Sequence, residues 1–127
     1  IELWNQWRLH APNVRPDLGG ANLRGADLYR VGSSGADLYN VNLNEADLSS
    51  ADLSRADLSG VMLNNTKLRN GVLQGTNLEQ VQVRGAHFQG ADLRGIPWLL
   101  IMELTLQPGT DFTGMQWDRR TDDDAPL

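Results

Sequence analysis

A five-residue repeat runs through most of this chain and limits the ways in which it can fold. From Pro16 to Gly95 the sequence divides into sixteen unbroken blocks of five, and the third position is leucine in thirteen of them. On an α-helix five residues advance about 500°, so successive leucines would point in different directions. On a flat strand an odd spacing sends them to alternate faces. The leucines can share one core only if the chain turns by a right angle at every block.

The other block positions predict how each side of such a coil is built. The first position is Ala in eight blocks and Val in four, and it points inward with the leucine because the two residues lie two apart in an extended segment. The second position is Asp or Asn in ten blocks; it points outward, where short polar side chains accept hydrogen bonds from nearby backbone. The fifth position is Gly or Asn in eleven blocks, which is typical of a corner with positive φ.

Four blocks form one coil, so residues twenty positions apart should lie above one another, and coils should stack at the strand spacing of about 4.8 Å. The array holds about four such coils. Ser33 interrupts the fourth inner column. The predicted core ladder consists of Leu18, Leu38, Leu58, Leu78 and Trp98; Leu23, Leu43, Leu63 and Val83; Leu28, Leu48, Leu68 and Phe88; and Leu53, Leu73 and Leu93.

Blocks such as ANLRG, ADLYN and ADLSR resemble the A(D/N)LXX pattern of the pentapeptide-repeat family over residues 16–95. The resemblance implies an all-β fold, the right-handed quadrilateral β-helix, whereas the repeats alone do not give its hand. The segment Trp-Asn-Gln-Trp-Arg near the start also looks like the leader that precedes many bacterial pentapeptide repeats.

The two ends of the array should be capped, because an open coil exposes leucines and unpaired backbone. Residues 1–15 are predicted to form a short N-terminal helical cap, with Leu3, Trp4 and Trp7 at helical spacing. The β-helix is predicted over residues 16–100. Residues 120–127 form an acidic tail that we expect to be disordered.

Residues 101–119 are predicted to be an irregular C-terminal cap. Apolar residues alternate with polar ones from Met102 to Leu106, as in a half-buried strand. After the Pro108-Gly109 turn, residues 110–114 and 115–119 look like two more blocks out of phase with the array. The apolar run Leu99, Leu100, Ile101 and Met102 has two interpretations: it is buried within the chain by this cap, or it is an interface for a partner or a homodimer.

The sequence offers no catalytic, cofactor-binding or metal site, and we therefore expect a protein that is not an enzyme and has no cofactor. Cysteine is absent, which excludes a disulfide framework and a thiolate site. His87 is expected at an outward second position, as a solvated surface residue. No apolar run approaches the roughly 18 residues of a membrane span, and no signal peptide is visible. We expect a cytoplasmic protein, although the chain does not begin with Met and a removed targeting segment stays an open alternative.

These features favour a structural or protein-interaction module with an unidentified protein partner and no binding to nucleic acid or membrane. The resemblance implies an alternative, because some members of the family act as DNA mimics that bind type II topoisomerases. B-DNA carries about one negative charge per 1.7 Å, so four coils spanning roughly 19 Å would need about eleven charges. The sixteen blocks carry nine acids and seven bases, a net charge of −2. The charge therefore disfavours the alternative.

Overall fold

A computed structural model describes residues 6, 9–11 and 13–118 of the chain. The backbone pairs with itself at intervals of twenty residues through isolated parallel bridges, as in the column that joins Asp17, Asp37, Asp57 and Asn77. Three further columns begin at Asn22, Asp27 and Gly32, so the second positions of all four blocks in a turn are paired. The chain therefore returns to the same edge after every four blocks.

Hydrogen bonds at each block explain why residues 16–118 form isolated bridges and not long strands. The N–H of Asp37 donates to the carbonyl of Pro16 (2.7 Å), and the N–H of Leu38 donates to the carbonyl of Asp57 (2.8 Å), so neighbouring residues bond to the turns on either side. A turn follows at once, since the N–H of Val41 donates back to the carbonyl of Leu38 (3.2 Å). Pairing is continuous along the stack, but each block contributes a single bridged residue.

The corners have a left-handed backbone conformation whether or not glycine occupies them. Every fifth position from Gly20 to Gly95 has a φ between 55° and 83°, as the third residue of a type II turn requires. Arg30, Glu45 and Arg55 adopt this conformation too, although it costs an L-residue about 1–2 kcal/mol. The N–H of each of these three residues donates to a carbonyl of the following turn, as Arg30 does to Ser49 (3.0 Å), and this bond holds the corner in place.

The inward positions form one continuous core. Twelve residues of the predicted ladder, from Leu38 to Leu93, are at most 4% exposed. Leu18, Leu23 and Leu28 are only partly buried, because they belong to the first turn. The small first-position residues Ala46 and Ala51 are completely buried, which lets the backbone approach the leucines closely.

The ladder does not continue through Trp98 as the sequence pattern predicts. An α-helix, α1, spans Trp98–Thr105, so the predicted half-buried strand over residues 102–106 is wrong. The reason lies at Pro97, a second-position residue that lacks the N–H with which these positions bond to the preceding turn. The Pro97 carbonyl instead accepts the N–H of Ile101 (3.1 Å) in α1.

After α1 the chain returns to the stack with a shifted interval. Asp111 pairs with His87 and Gln116 pairs with Asp92, at an interval of twenty-four residues. Phe112 stacks on Phe88 with ring centroids 4.6 Å apart. The two blocks expected after Pro108-Gly109 thus pair with the stack, the first through Asp111 and the second through Gln116, and the helix accounts for the four additional residues.

Two of the predicted segments lie mainly outside the described residues. The helical cap over residues 1–15 is described only in part, and Gln6, Leu9 and His10 are helical. Of the C-terminal segments, the acidic tail over residues 120–127 is not described.

Candidate interaction surfaces

The outward aspartates and asparagines bind the backbone of their own block. Asp57 shows the pattern: its Oδ1 accepts the N–H of Ser59 (3.0 Å) and the Ser59 hydroxyl (2.6 Å). These two hydrogen bonds, the hydroxyl first, hold the pKa of Asp57 below its ordinary value, and the charge of Arg15 lowers it further. The lowered pKa keeps the Asp57 carboxylate ionised, so it supplies charge to the surface.

The four sides of the stack differ strongly in charge. One side, which we call the acidic face, contains four acidic residues and no Lys or Arg, a net charge of −4; it consists of residues 16–20, 36–40, 56–60 and 76–80. The side that follows it has two bases and one acid (+1), the third has three bases and two acids (+1), and the fourth has two of each (0). The net charge of −2 over the array therefore conceals one acidic side.

The carboxylates of the acidic face follow the direction of the stack. Asp17, Asp37 and Asp57 are consecutive members of one bridged column. Arg15, which precedes the array, forms a salt bridge with Asp37. Glu79 lies in the last turn of the face and is exposed. The spacing of twenty residues already places Asp17, Asp37 and Asp57 in one outward column; the face itself appears in the sequence once the charges are summed for each side.

At its C-terminal end the acidic face meets α1 at an open groove of about 410 Å³, which we call the C-terminal groove. Its lining residues are Glu79, Gln80, Pro97, Leu99, Leu100 and Glu103. Apolar side chains are also exposed beside it, since Leu99 is 53% exposed and Met102 is 41% exposed. They lie three residues apart in α1, which places them on the same side of the helix.

The four predicted interface residues do not form one continuous exposed surface. Ile101 is 1% exposed and Leu104 is 3% exposed, so both belong to the core. Leu100 is partly buried against that core, whereas Leu99 and Met102 face solvent. The prediction that Ile101 is an interface residue is corrected, because the helical phase turns it toward the stack.

Trp98 also has a role that differs from the predicted one. It is partly buried and its ring stacks on that of Trp117, with centroids 4.7 Å apart. This contact joins the first residue of α1 to the last described block. Helix α1 is thus held by Ile101 and Leu104 below it and by the tryptophan pair at its start.

His87 is less exposed than the sequence predicts. It lies in the column between Lys67 and Asp111, and its Nδ1 is buried without a hydrogen-bond partner among the described residues. Residues 6, 9–11 and 13–118 contain no group of three or more His, Asp or Glu residues placed to hold a metal ion. No helix of the described segments is long and apolar enough to cross a membrane.

An apolar cavity of about 290 Å³ lies in the first turns of the stack. Leu18, Leu23 and Leu28 line it together with Ser33, where the fourth column lacks a leucine, and with residues of the second turn. Ser33 is itself 5% exposed. The cavity thus coincides with the interruption in the inner ladder.

Comparisons with known proteins agree with this architecture. A family model for pentapeptide repeats matches residues 34–70 and 63–96, with eight copies. The solved structure of Rfr23, a pentapeptide-repeat protein of the cyanobacterium Cyanothece 51142, is 27% identical with a TM-score of 0.68, over 98% of this chain and 100% of that one. No curated protein sequence matches the chain significantly.

Two further solved structures are similar. A pentapeptide-repeat protein of the Arabidopsis thaliana thylakoid lumen is 26% identical with a TM-score of 0.61, over 88% of this chain and 68% of that one. HetL, a pentapeptide-repeat protein involved in the regulation of heterocyst differentiation in the cyanobacterium Nostoc sp. strain PCC 7120, is 30% identical with a TM-score of 0.52, over 82% of this chain and 39% of that one.

Proposed function

Because the chain belongs to the pentapeptide-repeat family, we propose that it is a non-enzymatic interaction module. It binds a protein partner through the exposed apolar side chains of Leu99, Met102 and Leu106, which we call the C-terminal edge. The family implies the right-handed quadrilateral β-helix for the array. We further propose that the array forms about four coils, and that α1 with the two following blocks closes its C-terminal end.

One observation carries the choice of the C-terminal edge. Leu99 and Met102 are exposed on α1, while Ile101 and Leu104 anchor the same helix in the core. Leu106, directly after α1, is 81% exposed. A helix held rigidly on one side that presents apolar side chains on the other is pre-organised for binding, since little conformational entropy is lost on association.

The double variant Leu99→Glu, Met102→Glu tests this proposal. Both side chains are exposed, so the fold should be retained while partners recovered from cells with the wild-type chain are lost. Tyr29→Glu is the control, because Tyr29 is 50% exposed and lies on another part of the stack. Retention of every partner by the double variant would contradict the proposal.

A homodimer through the same edge is an alternative that sedimentation velocity distinguishes. A wild-type dimer that becomes a monomer in the double variant would favour self-association over a different partner. A DNA mimic for a type II topoisomerase is less well supported, because the acidic face has four carboxylates over four turns. Mimicry of B-DNA requires about one charge per 1.7 Å.

A further inference from the structure

The C-terminal groove is lined by both apolar and acidic residues. Pro97, Leu99 and Leu100 provide the apolar part of its lining, and Glu79 and Glu103 provide two carboxylates. The described lining contains no Lys or Arg. Other surface carboxylates do have cationic partners, as in the pairs Arg24 with Glu45 and Arg94 with Asp92. Within the described part of the chain neither Glu79 nor Glu103 forms a salt bridge.

The groove also continues the acidic face. Glu79 belongs to the last turn of that face, and Asp57 in the preceding turn has a lowered pKa and stays ionised. Carboxylates of the same sign along one side raise the local concentration of cationic groups and speed their encounter with the surface. The charge therefore directs a cationic partner toward the end of the stack where the apolar residues lie.

From this geometry we infer that the groove binds a protein segment that is both apolar and basic. The inference rests on the proposed function and specifies the chemistry of the partner. Apolar side chains of the segment cover Leu99 and Leu100, and its Lys or Arg side chains contact Glu79 and Glu103. Arg is suited to this role because its guanidinium can donate two parallel hydrogen bonds to a carboxylate.

A second copy of the chain fits the groove less well than such a segment does. The chain has a net charge of −5, and a two-fold symmetric contact at the groove would bring the same acidic residues of both copies together. Like charges across an interface are unfavourable by several kcal/mol. A basic segment has the complementary charge, and it covers the same apolar residues without this repulsion.

Fluorescence anisotropy with defined peptides tests the inference on the full chain. The probe is a labelled helical peptide of Leu and Lys, with the leucines on one side of the helix. Two comparison peptides have every Lys replaced by Glu, or the same composition in scrambled order. We expect the Leu–Lys peptide to bind more weakly as salt increases, and the other two to bind at least about tenfold more weakly.

Variants of the chain locate the binding. Glu79→Lys with Glu103→Lys should weaken binding of the Leu–Lys peptide about tenfold or more, and Leu99→Ser should weaken it without removing its salt dependence. Compared with Glu79→Lys alone, which changes the net charge equally, Glu45→Lys is the control: it reverses an exposed carboxylate outside the groove, one that also pairs with Arg24. It should leave the affinity within about twofold.

Equal binding of the scrambled peptide, or binding that the groove variants leave unchanged, would overturn the inference. So would a complete failure of the Leu–Lys peptide to bind. The proposed function is judged separately, by whether Leu99→Glu with Met102→Glu loses cellular partners. If those partners are lost and the peptide does not bind, binding through the C-terminal edge is supported and a basic partner is excluded.

Discussion

The carboxamide of Asn65 lies against Gly85, the residue at the same corner in the next turn. A Cβ at Gly85 would lie 2.2 Å from Oδ1 of Asn65. The same relationship joins Asn40 to Gly60 and Asn70 to Gly90. Glycine at these corners therefore serves two purposes: it accommodates the positive φ, and it leaves space for the asparagine of the preceding turn.

Gly85→Ala should destabilise the protein more than Gly25→Ala does. The two residues have φ values of 68° and 69°, so the conformational cost of about 1–2 kcal/mol is common to both. Nothing lies within 4 Å of a Cβ at Gly25, whereas the methyl group of Gly85→Ala displaces the Asn65 side chain. We expect an additional loss of about 0.5–1 kcal/mol in the free energy of unfolding, measured with urea.

A double-mutant cycle isolates that additional loss. In the Asn65→Ala background, Gly85→Ala should cost no more than Gly25→Ala. An unchanged cost of Gly85→Ala in this background would show that the corner conformation alone matters.

Asn64→Ala should destabilise the side of the stack that lacks aspartate at its second positions. The N–H of Arg84 donates to Oδ1 of Asn64 (3.0 Å), and the N–H of Asn64 donates to Oδ1 of Asn44 (2.8 Å). In most blocks the Asp or Asn at the second position accepts the N–H of the fourth position. Met62 and Gln82 do not, and the asparagine of the preceding turn accepts that N–H instead. Loss of one such bond should cost about 1 kcal/mol in chemical denaturation.

Gln82→Asp should rescue the Asn64→Ala variant. It restores a short acceptor at the second position, in the arrangement by which Asn42 accepts the N–H of Asn44 (3.0 Å). Equal costs of Asn64→Ala with and without Gln82→Asp would exclude this compensation.

Asp92 should make the stability depend on pH in the acidic range. The Arg94 side chain donates to both carboxylate oxygens, and Gln74 donates to Oδ2 (2.6 Å), which lowers the pKa of Asp92 from 3.8 to about 2. Because the pKa is lower in the folded state, Asp92 stabilises the protein at any pH above its pKa in the unfolded state. This contribution is lost as the pH falls toward the pKa of the folded state. We expect a loss of about 1–2 kcal/mol between about pH 4 and pH 2.

Denaturation of Asp92→Asn over the same pH range checks this expectation. The variant should be less stable than the wild type above about pH 4 and should show a flatter dependence below it. Asp27→Asn is the control, since Asn can still accept the N–H of Tyr29 that Asp27 accepts. If Asp92→Asn leaves the slope of stability against pH unchanged, groups other than Asp92 cause the acid sensitivity.

Ser33→Leu should stabilise the first turns of the stack. Ser33 occupies the inner column of Leu53, Leu73 and Leu93, and it lines the apolar cavity. Filling part of that cavity should raise the free energy of unfolding by about 1 kcal/mol. Ser34→Leu is the control, because Ser34 does not line the cavity and its hydroxyl bonds to Ser54 (3.1 Å). This variant should not raise the free energy of unfolding. A destabilised Ser33→Leu variant would indicate that the cavity cannot admit the larger side chain.

The repeat predicts the array well because its period fixes the direction of each side chain. The inward position of Leu58 and the corner at Gly60 follow from spacing alone. The backbone hydrogen bonds of Asp57 follow from its place next to a turn. These features are local, and every turn repeats them.

The C-terminal end was predictable only in part, because its conformation depends on tertiary contacts. The segment from Leu99 to Leu106 has both an alternating and a helical apolar pattern, and Pro97 decides between them by interrupting the bridged column. The sequence correctly marks Pro108-Gly109 as a turn that leads into further blocks. It does not show that Ile101 would be buried while Leu99 remains exposed, since this depends on how α1 packs on the stack.

The uniform inner ladder has a consequence for changes in chain length. Deletion of one block, such as residues 61–65, would leave leucine at nearly every inward position, but it would rotate all later blocks by a quarter turn. The block of Glu79 would then leave the acidic face, and the block of Arg84 would replace it. Deletion of four consecutive blocks would instead shorten the stack and preserve the alignment of its sides. In this fold, insertions and deletions can therefore redistribute surface charge without any substitution and with little change to the core.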